Sequence, residues 1–372
     1  MNTVIGGYVM LDKYARLLVD YCVGVEPKQR VLVKSTYLAE PLLQILYQLL
    51  LKRGCSVEFD LSFQDQDKIM YDFSSSDQLS TLPVFYNKAV EEFDALIRVI
   101  APFNLKSTAE VSSDKKRILQ EAMAPLRKRY MERSAKKELK WVLCVYPTQA
   151  AAQECGMSLA DYEKFVYQSC MLDMDDPISA WQDLSRRQQH IVDYLNKVSM
   201  VRYVGLNTDI SFSTKDRIWI NSDGHYNMPS GEVFTGPVED SVQGHVYFSY
   251  PTVYEGADVE GVFLEVNNGV VSTWKAEKGQ EVLDRVFSIK GARQFGEVAI
   301  GTNYSIQRAT KNILFDEKIG GSIHMAIGAS YPETGGNNDS AVHWDMIKDM
   351  KVEGQIFADN TLIYENGEFI ID

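Results

Sequence analysis

The sequence predicts an N-terminal α/β domain with a mostly parallel sheet, followed by a β-rich, mainly antiparallel (α+β) C-terminal domain that carries a metal site. Two patterns and one cluster support this. Short apolar runs alternate with helical segments in the first half, strand-like segments follow one another in the second, and histidines and carboxylates gather near the C-terminus. A chain of 372 residues suits two domains, which we expect at residues 1–200 and 201–372.

The first half alternates helical and strand-like patterns. Apolar residues at helical spacing, or a terminating glycine such as Gly54, predict helices at residues 8–23, 40–53, 113–139, 159–172 and 177–198. Short apolar runs predict strands at residues 30–34, 56–63, 95–100 and 141–146. Such alternation is typical of a parallel sheet covered by helices. No glycine-rich phosphate loop follows any of these strands, which argues against a nucleotide-binding α/β protein.

The second half is dominated by strand-like patterns. Alternating residues predict strands over 201–254, with turns at residues 221–224 and 227–231. Further strands are expected over 258–271, with a hairpin turn at Asn267-Asn268-Gly269, and over 295–372, with a last hairpin at Glu365-Asn366-Gly367. One short helix is expected at residues 281–289. Strands that follow one another through short turns predict antiparallel pairing.

Composition limits the protein's class and its partners. Hydrophobic residues make up 45% and charged residues 24%, as in an ordinary soluble globular protein. The formal charge of −13 argues against nucleic acid and anionic membrane as partners. No apolar run approaches the roughly 20 residues that cross a bilayer, and we expect no signal peptide. The five widely spaced cysteines indicate reduced thiols, so the expected location is cytoplasmic.

Two histidines and an acid stand out in residues 321–347. In a strand, residues two apart point to the same face, so His343 and Asp345 would aim an imidazole and a carboxylate at one point. His324 lies in an apolar run, where an unpaired polar side chain would be costly. The intervening loop, rich in glycine and asparagine, can bring His324 and His343 together. Such nitrogen and oxygen ligands suit zinc, cobalt or manganese.

Other polar residues of the second half can complete a site. Glu297, inside an apolar strand, is either exposed on an edge, paired or bound to metal. Glu232, between glycines and prolines, is either a surface residue of a capped turn or a ligand. Asp316-Glu317 offers a further ligand or a general base, and Tyr331 is either a core or rim aromatic, a ligand or an oxyanion donor. Together these residues suffice for two adjacent divalent metals bridged by a carboxylate and a water.

Five segments of the second half resemble those of the M29 metallo-aminopeptidases, a thermophilic-type family, in order and rough spacing. They are Pro229-Ser230-Gly231-Glu232-Val233-Phe234-Thr235, Gly296-Glu297-Val298-Ala299, Phe315-Asp316-Glu317, the segment from His324 to Pro332, and Val342-His343-Trp344-Asp345. The resemblance extends over essentially the whole chain, from the strand near Val31 to the terminal hairpin, and is most specific in residues 227–347.

The resemblance implies a role for each matching residue. The implied ligands of two divalent cations (Zn, Co, Mn or Mg) are Glu232, Glu297, His324, His343 and Asp345. Glu297 would bridge the two ions, Tyr331 would act as a further ligand or a transition-state donor, and Glu317 would be a general base. The resemblance also implies a homodimer whose active sites face an internal cavity, which would limit substrates to short peptides with a free N-terminus.

The predicted function is therefore a metal-dependent aminopeptidase that releases N-terminal amino acids with a dinuclear metal-activated water. One alternative is another metal-dependent amide or ester hydrolase on the same scaffold. A second is a non-catalytic binding protein with a degenerate site. The binding protein is disfavoured because every expected ligand position carries a side chain that can coordinate a metal.

Overall fold

The structure, a computed structural model, describes residues 2–371 and the side chains of residues 8–371. Met1 and Asp372, the outer limits of the two predicted domains, lie outside the described residues. The chain divides into two compact units. Unit 1 is the chain up to Ile178 together with Gly224–Met228, and unit 2 is Ser179–Asp223 together with the chain from Pro229 onward. A domain boundary between residues 200 and 201 stays a prediction.

Unit 1 contains one five-stranded sheet in which neighbouring strands are all parallel. In spatial order the strands are Ser56–Ser62, Arg30–Thr36, Ala95–Ile100, Lys140–Val145 and Asn227–Met228. The predicted parallel α/β sheet is confirmed. The strand Asn227–Met228 differs from expectation, because we assigned these residues to a turn. Two residues are too few to show a strand period, and their pairing with Leu143 and Cys144 depends on a distant part of the chain.

The helices of unit 1 include several short ones that the sequence patterns did not predict. Its helices are Asn2–Arg16, which continues as a π-helical turn over Leu17–Cys22, and Tyr37–Ala39 (3₁₀), Glu40–Lys52, Gln66–Phe73, Ser76–Leu79, Val84–Glu92, Ser113–Ala135, Gln149–Glu154 and Leu159–Ser169. The helix Gln66–Phe73 buries none of its residues. Among the described residues, no helix has the length and apolar character needed to cross a bilayer.

Unit 2 consists mainly of antiparallel sheets, as predicted. The eight-stranded sheet has the order Val270–Lys275, Val262–Asn267, Gln243–Phe248, Thr208–Ser213, Met200–Gly205, Gln355–Ala358, Thr361–Glu365 and Glu368–Phe369. The five-stranded sheet has the order His343–Asp349, Ser322–Gly328, Phe295–Gly301, Glu232–Thr235 and Ile220–Ser222. A two-stranded ribbon pairs Thr252–Tyr254 with Ala257–Val259, and the helices are Pro177–Leu195, Gln280–Val286, Ile313–Asp316 and the 3₁₀ turn Pro332–Thr334.

One face of the five-stranded sheet belongs to the hydrophobic core of unit 2. Val298, Ile300, Ile323, Met325 and Met346 are all fully buried in this core, which also takes residues from the eight-stranded sheet. Because successive residues of a strand point to opposite faces, the residues between these core positions project from the other face. That alternation decides where the polar side chains of the sheet must lie.

The strand Glu232–Thr235 is preceded by Gly231, whose backbone conformation and close packing leave no room for a side chain. Gly231 has φ +116°, and a Cβ there would lie 2.6 Å from Asn303 Cβ. Two hydrogen bonds hold this turn. Asn303 Nδ2 donates to Ser230 O, and Thr302 N donates to Gly231 O. This turn sets the direction in which Glu232 enters the sheet.

Replacing Gly231 with Ala should therefore destabilise unit 2 by about 3 kcal/mol, since strained backbone and steric overlap add. Gly256 provides the matched control, with φ +86° and no atom within 4 Å of an added Cβ, and its Ala variant should lose only about 1 kcal/mol. Calorimetric unfolding of both variants measures the difference. Equal losses would show that the packing against Asn303 does not matter.

Candidate metal centre

Strand register places the five predicted ligands on one face of the five-stranded sheet. Glu297 lies opposite Ala326, which in turn lies opposite Asp345. His324 and His343 are each two residues away from a member of that row, and Glu232 lies opposite Gly301, so all share the face that points away from the core. The five side chains so placed are Glu232, Glu297, His324, His343 and Asp345.

Two alanines leave room for these longer side chains. Ala326 lies between Glu297 and Asp345 in the row, and Ala299 lies opposite His324. Both are fully buried. Sequence analysis did not single them out, although the alternation of large apolar with small or polar residues in Ile323–Ile327 was a usable signal.

Glu297 lies between the two histidines. Its Oε1 is 3.4 Å from His324 Nε2, and its Oε2 is 3.2 Å from His343 Nε2. Glu232 Oε2 is 3.3 Å from His324 Nε2, and Asp345 Oδ2 is 3.5 Å from His343 Nε2. Each oxygen of Glu297 thus faces a different histidine, and each histidine has at least one further carboxylate beside it. In such an arrangement one carboxylate can bridge two cations.

The donor set fits divalent metal ions. Ligand atoms lie within 4.8 Å of one another in three sets: Glu232, Glu297 and His324; Glu297, His343 and Asp345; and Glu317, His324 and Asp345. Two buried carboxylate oxygens, Glu232 Oε2 and Asp345 Oδ1, have no hydrogen-bond donor among the described residues. Buried oxygens of this kind are costly unless a proton or a cation offsets them. Imidazole and carboxylate ligands suit zinc, cobalt and manganese.

A backbone contact orients one of the histidines. His343 Nδ1 lies 2.9 Å from Ala329 O, to which its N–H can donate a hydrogen bond. That hydrogen bond directs Nε2 toward Glu297 and Asp345, which is the usual way in which a second contact orients a metal-binding imidazole. His324 differs, because its buried Nδ1 has no partner among the described residues.

The neighbouring acids Asp316 and Glu317 have different surroundings. Glu317 ends the short helix Ile313–Asp316 and reaches the metal-binding set with His324 and Asp345. The Asp316 carboxylate instead accepts hydrogen bonds from the backbone N–H groups of Thr310 and Lys311 and from the Thr310 hydroxyl. Of the two acids proposed from the sequence, only Glu317 therefore joins the cluster.

Lys318 is a positively charged member of the cluster, which the sequence patterns did not reveal. Its side chain is 1% exposed, and its Nζ donates to Glu232 Oε1 at 2.6 Å and to Glu317 Oε1. A lysine beside two acids usually extends into solvent, so sequence alone gives no reason to bury it. Burial by itself would lower the pKa of Lys318, but Glu232 and Glu317 outweigh burial and raise it. The ammonium group therefore stays charged.

Tyr331 lies at the rim of the cluster. Its ring centroid is 5.0 Å from that of His343 and 5.6 Å from that of Phe234, and the residue is 36% exposed. Burial of the hydroxyl, together with Glu297 and Asp345, raises the pKa of Tyr331 well above its ordinary value. The phenol therefore stays protonated and can donate a hydrogen bond.

Comparison with known proteins decides the family. The model of the thermophilic metalloprotease family M29 matches residues 9–369, almost the whole chain. The chain belongs to this family.

Similar proteins agree with this assignment. Aminopeptidase 2 of Geobacillus stearothermophilus is 30% identical, and the alignment covers 92% of this chain and 93% of that protein. Aminopeptidase AmpS of Bacillus subtilis is 27% identical, with 96% and 98% covered. The solved structure of wild-type AmpT from Thermus thermophilus shares the fold, with a TM-score of 0.84 at 23% identity and 97% and 99% coverage. The prediction of an M29 metallo-aminopeptidase is confirmed.

In the M29 chain, the buried carboxylates control the protonation of the histidines. Burial alone would lower the pKa of both imidazoles, but the surrounding acids raise it to about 9 for His324 and about 10 for His343. Burial raises the pKa of Asp345 to about 6, against the opposing effect of His343. Burial also opposes ionisation of Glu297, yet its hydrogen bonds to the two histidines lower its pKa. Protons on His324 and His343 thus offset part of the buried negative charge.

A divalent cation must displace these protons, because a metal binds the neutral imidazole. Both histidines are protonated below their pKa values of about 9 and about 10. Affinity for Mn²⁺ should therefore rise between about pH 6 and about pH 8, by about tenfold per pH unit for each proton released. Titration calorimetry in buffers of different ionisation enthalpy measures the released protons.

The matched control for this titration is His245→Gln, since His245 lies on the strand Gln243–Phe248 of the other sheet. This variant should show the same pH dependence as the unaltered chain. An affinity that does not change with pH would contradict the proton displacement.

Proposed function

We propose that this M29 enzyme releases N-terminal amino acids from short peptides with a free N-terminus, using two divalent cations. The observation that carries the proposal is the position of Glu297, each of whose oxygens faces a different histidine. Glu297 would bridge the cations, with Glu232 and His324 holding one ion and His343 and Asp345 the other. Zinc, cobalt, manganese and magnesium are the proposed ions.

When bound, such ions polarise the scissile carbonyl and lower the pKa of water toward about 7. The side chains around them would then direct the proton transfers. Glu317 lies beside His324 and Asp345 in the third set of possible ligands. Burial raises the pKa of Glu317, against the effect of Lys318, which moves this carboxylate toward the range of a general base. We propose that Glu317 takes the proton of the attacking water and passes it to the leaving amine.

Tyr331 is the proposed donor to the oxyanion. Its phenol stays protonated and stands at the partly exposed rim of the cluster, where it would meet a substrate carbonyl. A preorganised donor at the point where negative charge develops stabilises the transition state. A direct contact of Tyr331 with a cation is the second role predicted for it from the sequence.

The acidic cluster also supports selection of a free amino terminus. Four carboxylates converge at the site: Glu232, Glu297, Glu317 and Asp345. The free α-amino group would bind near these carboxylates and a metal, whereas the nitrogen of an acylated amine has no basic lone pair to offer. The alternative, another metal-dependent amide or ester hydrolase, would not need the free amine.

We further propose that the enzyme is a cytoplasmic homodimer. The signature segments carry the implication of a dimer, and the five cysteines, all buried, suit a reducing compartment. Light scattering of the purified protein measures the mass directly, and a monomer of 42.2 kDa would contradict the dimer.

Replacing Glu297 with Gln should lower kcat by about a thousandfold or more and reduce bound metal. The substitution removes the negative charge and replaces one carboxylate oxygen with an NH₂ group, which cannot coordinate a cation. The exposed Glu281→Gln, on the helix Gln280–Val286, is the control and should retain full activity. Metal analysis and turnover of both variants test the assignment. Near-normal turnover of the Glu297 variant would overturn it.

The decisive experiment measures metal content and peptidase activity on one sample purified without added metal. Leucyl-anilide and short peptides should be cleaved only when a proposed divalent ion (cobalt, zinc, manganese or magnesium) is added, and the activity should disappear on chelation and in His343→Ala. Acylated analogues should resist cleavage. If metal binds but acylated amides or esters are cleaved equally well, the alternative hydrolase is correct. If no divalent metal binds, the chain is a binding protein.

A further inference from the structure

Lys318 occupies a place in the cluster where a cation could bind. Its Nζ contacts one oxygen of Glu232, at 2.6 Å, and one oxygen of Glu317. An ammonium group has three N–H donors and no lone pair, so it supplies positive charge but can never be a ligand. It therefore competes with a divalent ion for the carboxylates that it contacts.

This contact limits what Glu232 can offer to a metal. Glu232 Oε1 accepts a hydrogen bond from Lys318. Glu232 Oε2 lies at ion-pair distance from His324 Nε2, 3.3 Å, but makes no hydrogen bond with the described residues. As long as the lysine contact persists, Glu232 can coordinate through Oε2 alone. The first of the two proposed ion positions is thereby restricted to one oxygen of this carboxylate.

The other proposed position has no such competitor in the described part of the chain. Glu297 and Asp345 form their ion pairs with His324 and His343, whose ring nitrogens are themselves metal ligands. His343 Nε2 and the Asp345 carboxylate can therefore bind a metal without displacing a lysine. The two ion positions are unequal in the protein itself.

The charge count points the same way. The four carboxylates carry four negative charges, which two divalent cations alone would neutralise. With Lys318 present, one negative charge remains after the first ion binds, and the second ion brings the site to one excess positive charge. Because the lysine is 1% exposed, solvent screens little of this effect.

We propose that Lys318 is a resident cation of the metal centre that weakens binding of the ion on the Glu232–His324 side, leaving the ion on the His343–Asp345 side tightly bound. This inference rests on the proposed function. It makes one ion permanent and the other exchangeable, so that the activity follows the free concentration of the divalent metal.

The test is titration of metal-free protein with Co²⁺ alone, followed by calorimetry and by visible absorption of the bound ion. The variant is Lys318→Gln, which keeps a hydrogen-bond donor but removes the charge. The matched control is Lys348→Gln: Lys348 is a second buried lysine, 3% exposed, which donates to the backbone oxygen of Leu206 and touches none of the four carboxylates. Lys318→Arg keeps the charge.

The unaltered chain should bind two Co²⁺ ions in separate steps. In Lys318→Gln the weaker step should tighten by about tenfold or more, while the tighter step changes by less than about threefold. Lys348→Gln and Lys318→Arg should keep the original separation of the two steps. Unchanged affinities, or equal shifts of both steps, would overturn the role of Lys318 and leave the proposed function standing.

Three further outcomes are also decisive. If Lys318→Gln is unfolded without metal but folds as Co²⁺ is added, while Lys318→Arg is folded without metal, the ion replaces the missing charge, as the proposal requires. If it stays unfolded at every Co²⁺ concentration, Lys318 is a structural residue and the proposal fails. Absence of Co²⁺ binding in the unaltered chain and in all variants would overturn both the proposed function and this inference.

Discussion

Three buried carboxylates on one face of a sheet, with a fourth carboxylate beside them, can persist only if positive charge lies among them. Glu232, Glu297 and Asp345 are buried, and Glu317 is partly so. Protons on the two histidines, the ammonium of Lys318 and divalent cations are the available sources of that charge. The raised pKa values of His324 and His343 and the burial of Lys318 all follow from this single requirement.

The sheet meets this requirement because its two faces have opposite characters. Val298, Ile300, Ile323 and Met325 fix the strands from the core side. A shift of one residue in register would exchange the faces and bury the wrong set, so the hydrophobic core also determines where the ligands point. The same strands thus carry the core of unit 2 and the candidate metal centre, so a substitution that disturbs the packing of one should also disturb the other.

The centre also has a permanent asymmetry. On one side His343 is oriented by the backbone oxygen of Ala329, and its neighbouring acid contacts only histidines among its ion-pair partners. On the other side Glu232 shares its charge with Lys318. The proposed two-metal mechanism needs both positions filled, but it does not need them filled with equal strength. The different surroundings of the two histidines would give the two proposed ions different affinities.

The sequence by itself determined the two-part architecture and the five side chains that the sheet gathers on one face. The period of two in strands, the helical spacing in the first half and the placement of His343 and Asp345 two residues apart are local properties, which a linear chain displays. Only the tertiary structure decided that Glu317 joins the cluster while Asp316 holds a loop, that Asn227–Met228 adds a strand to the parallel sheet, and that Lys318 is buried. These features depend on contacts between residues far apart in the chain. Lys318 and Glu232 are 86 positions apart, and no local pattern records their pairing.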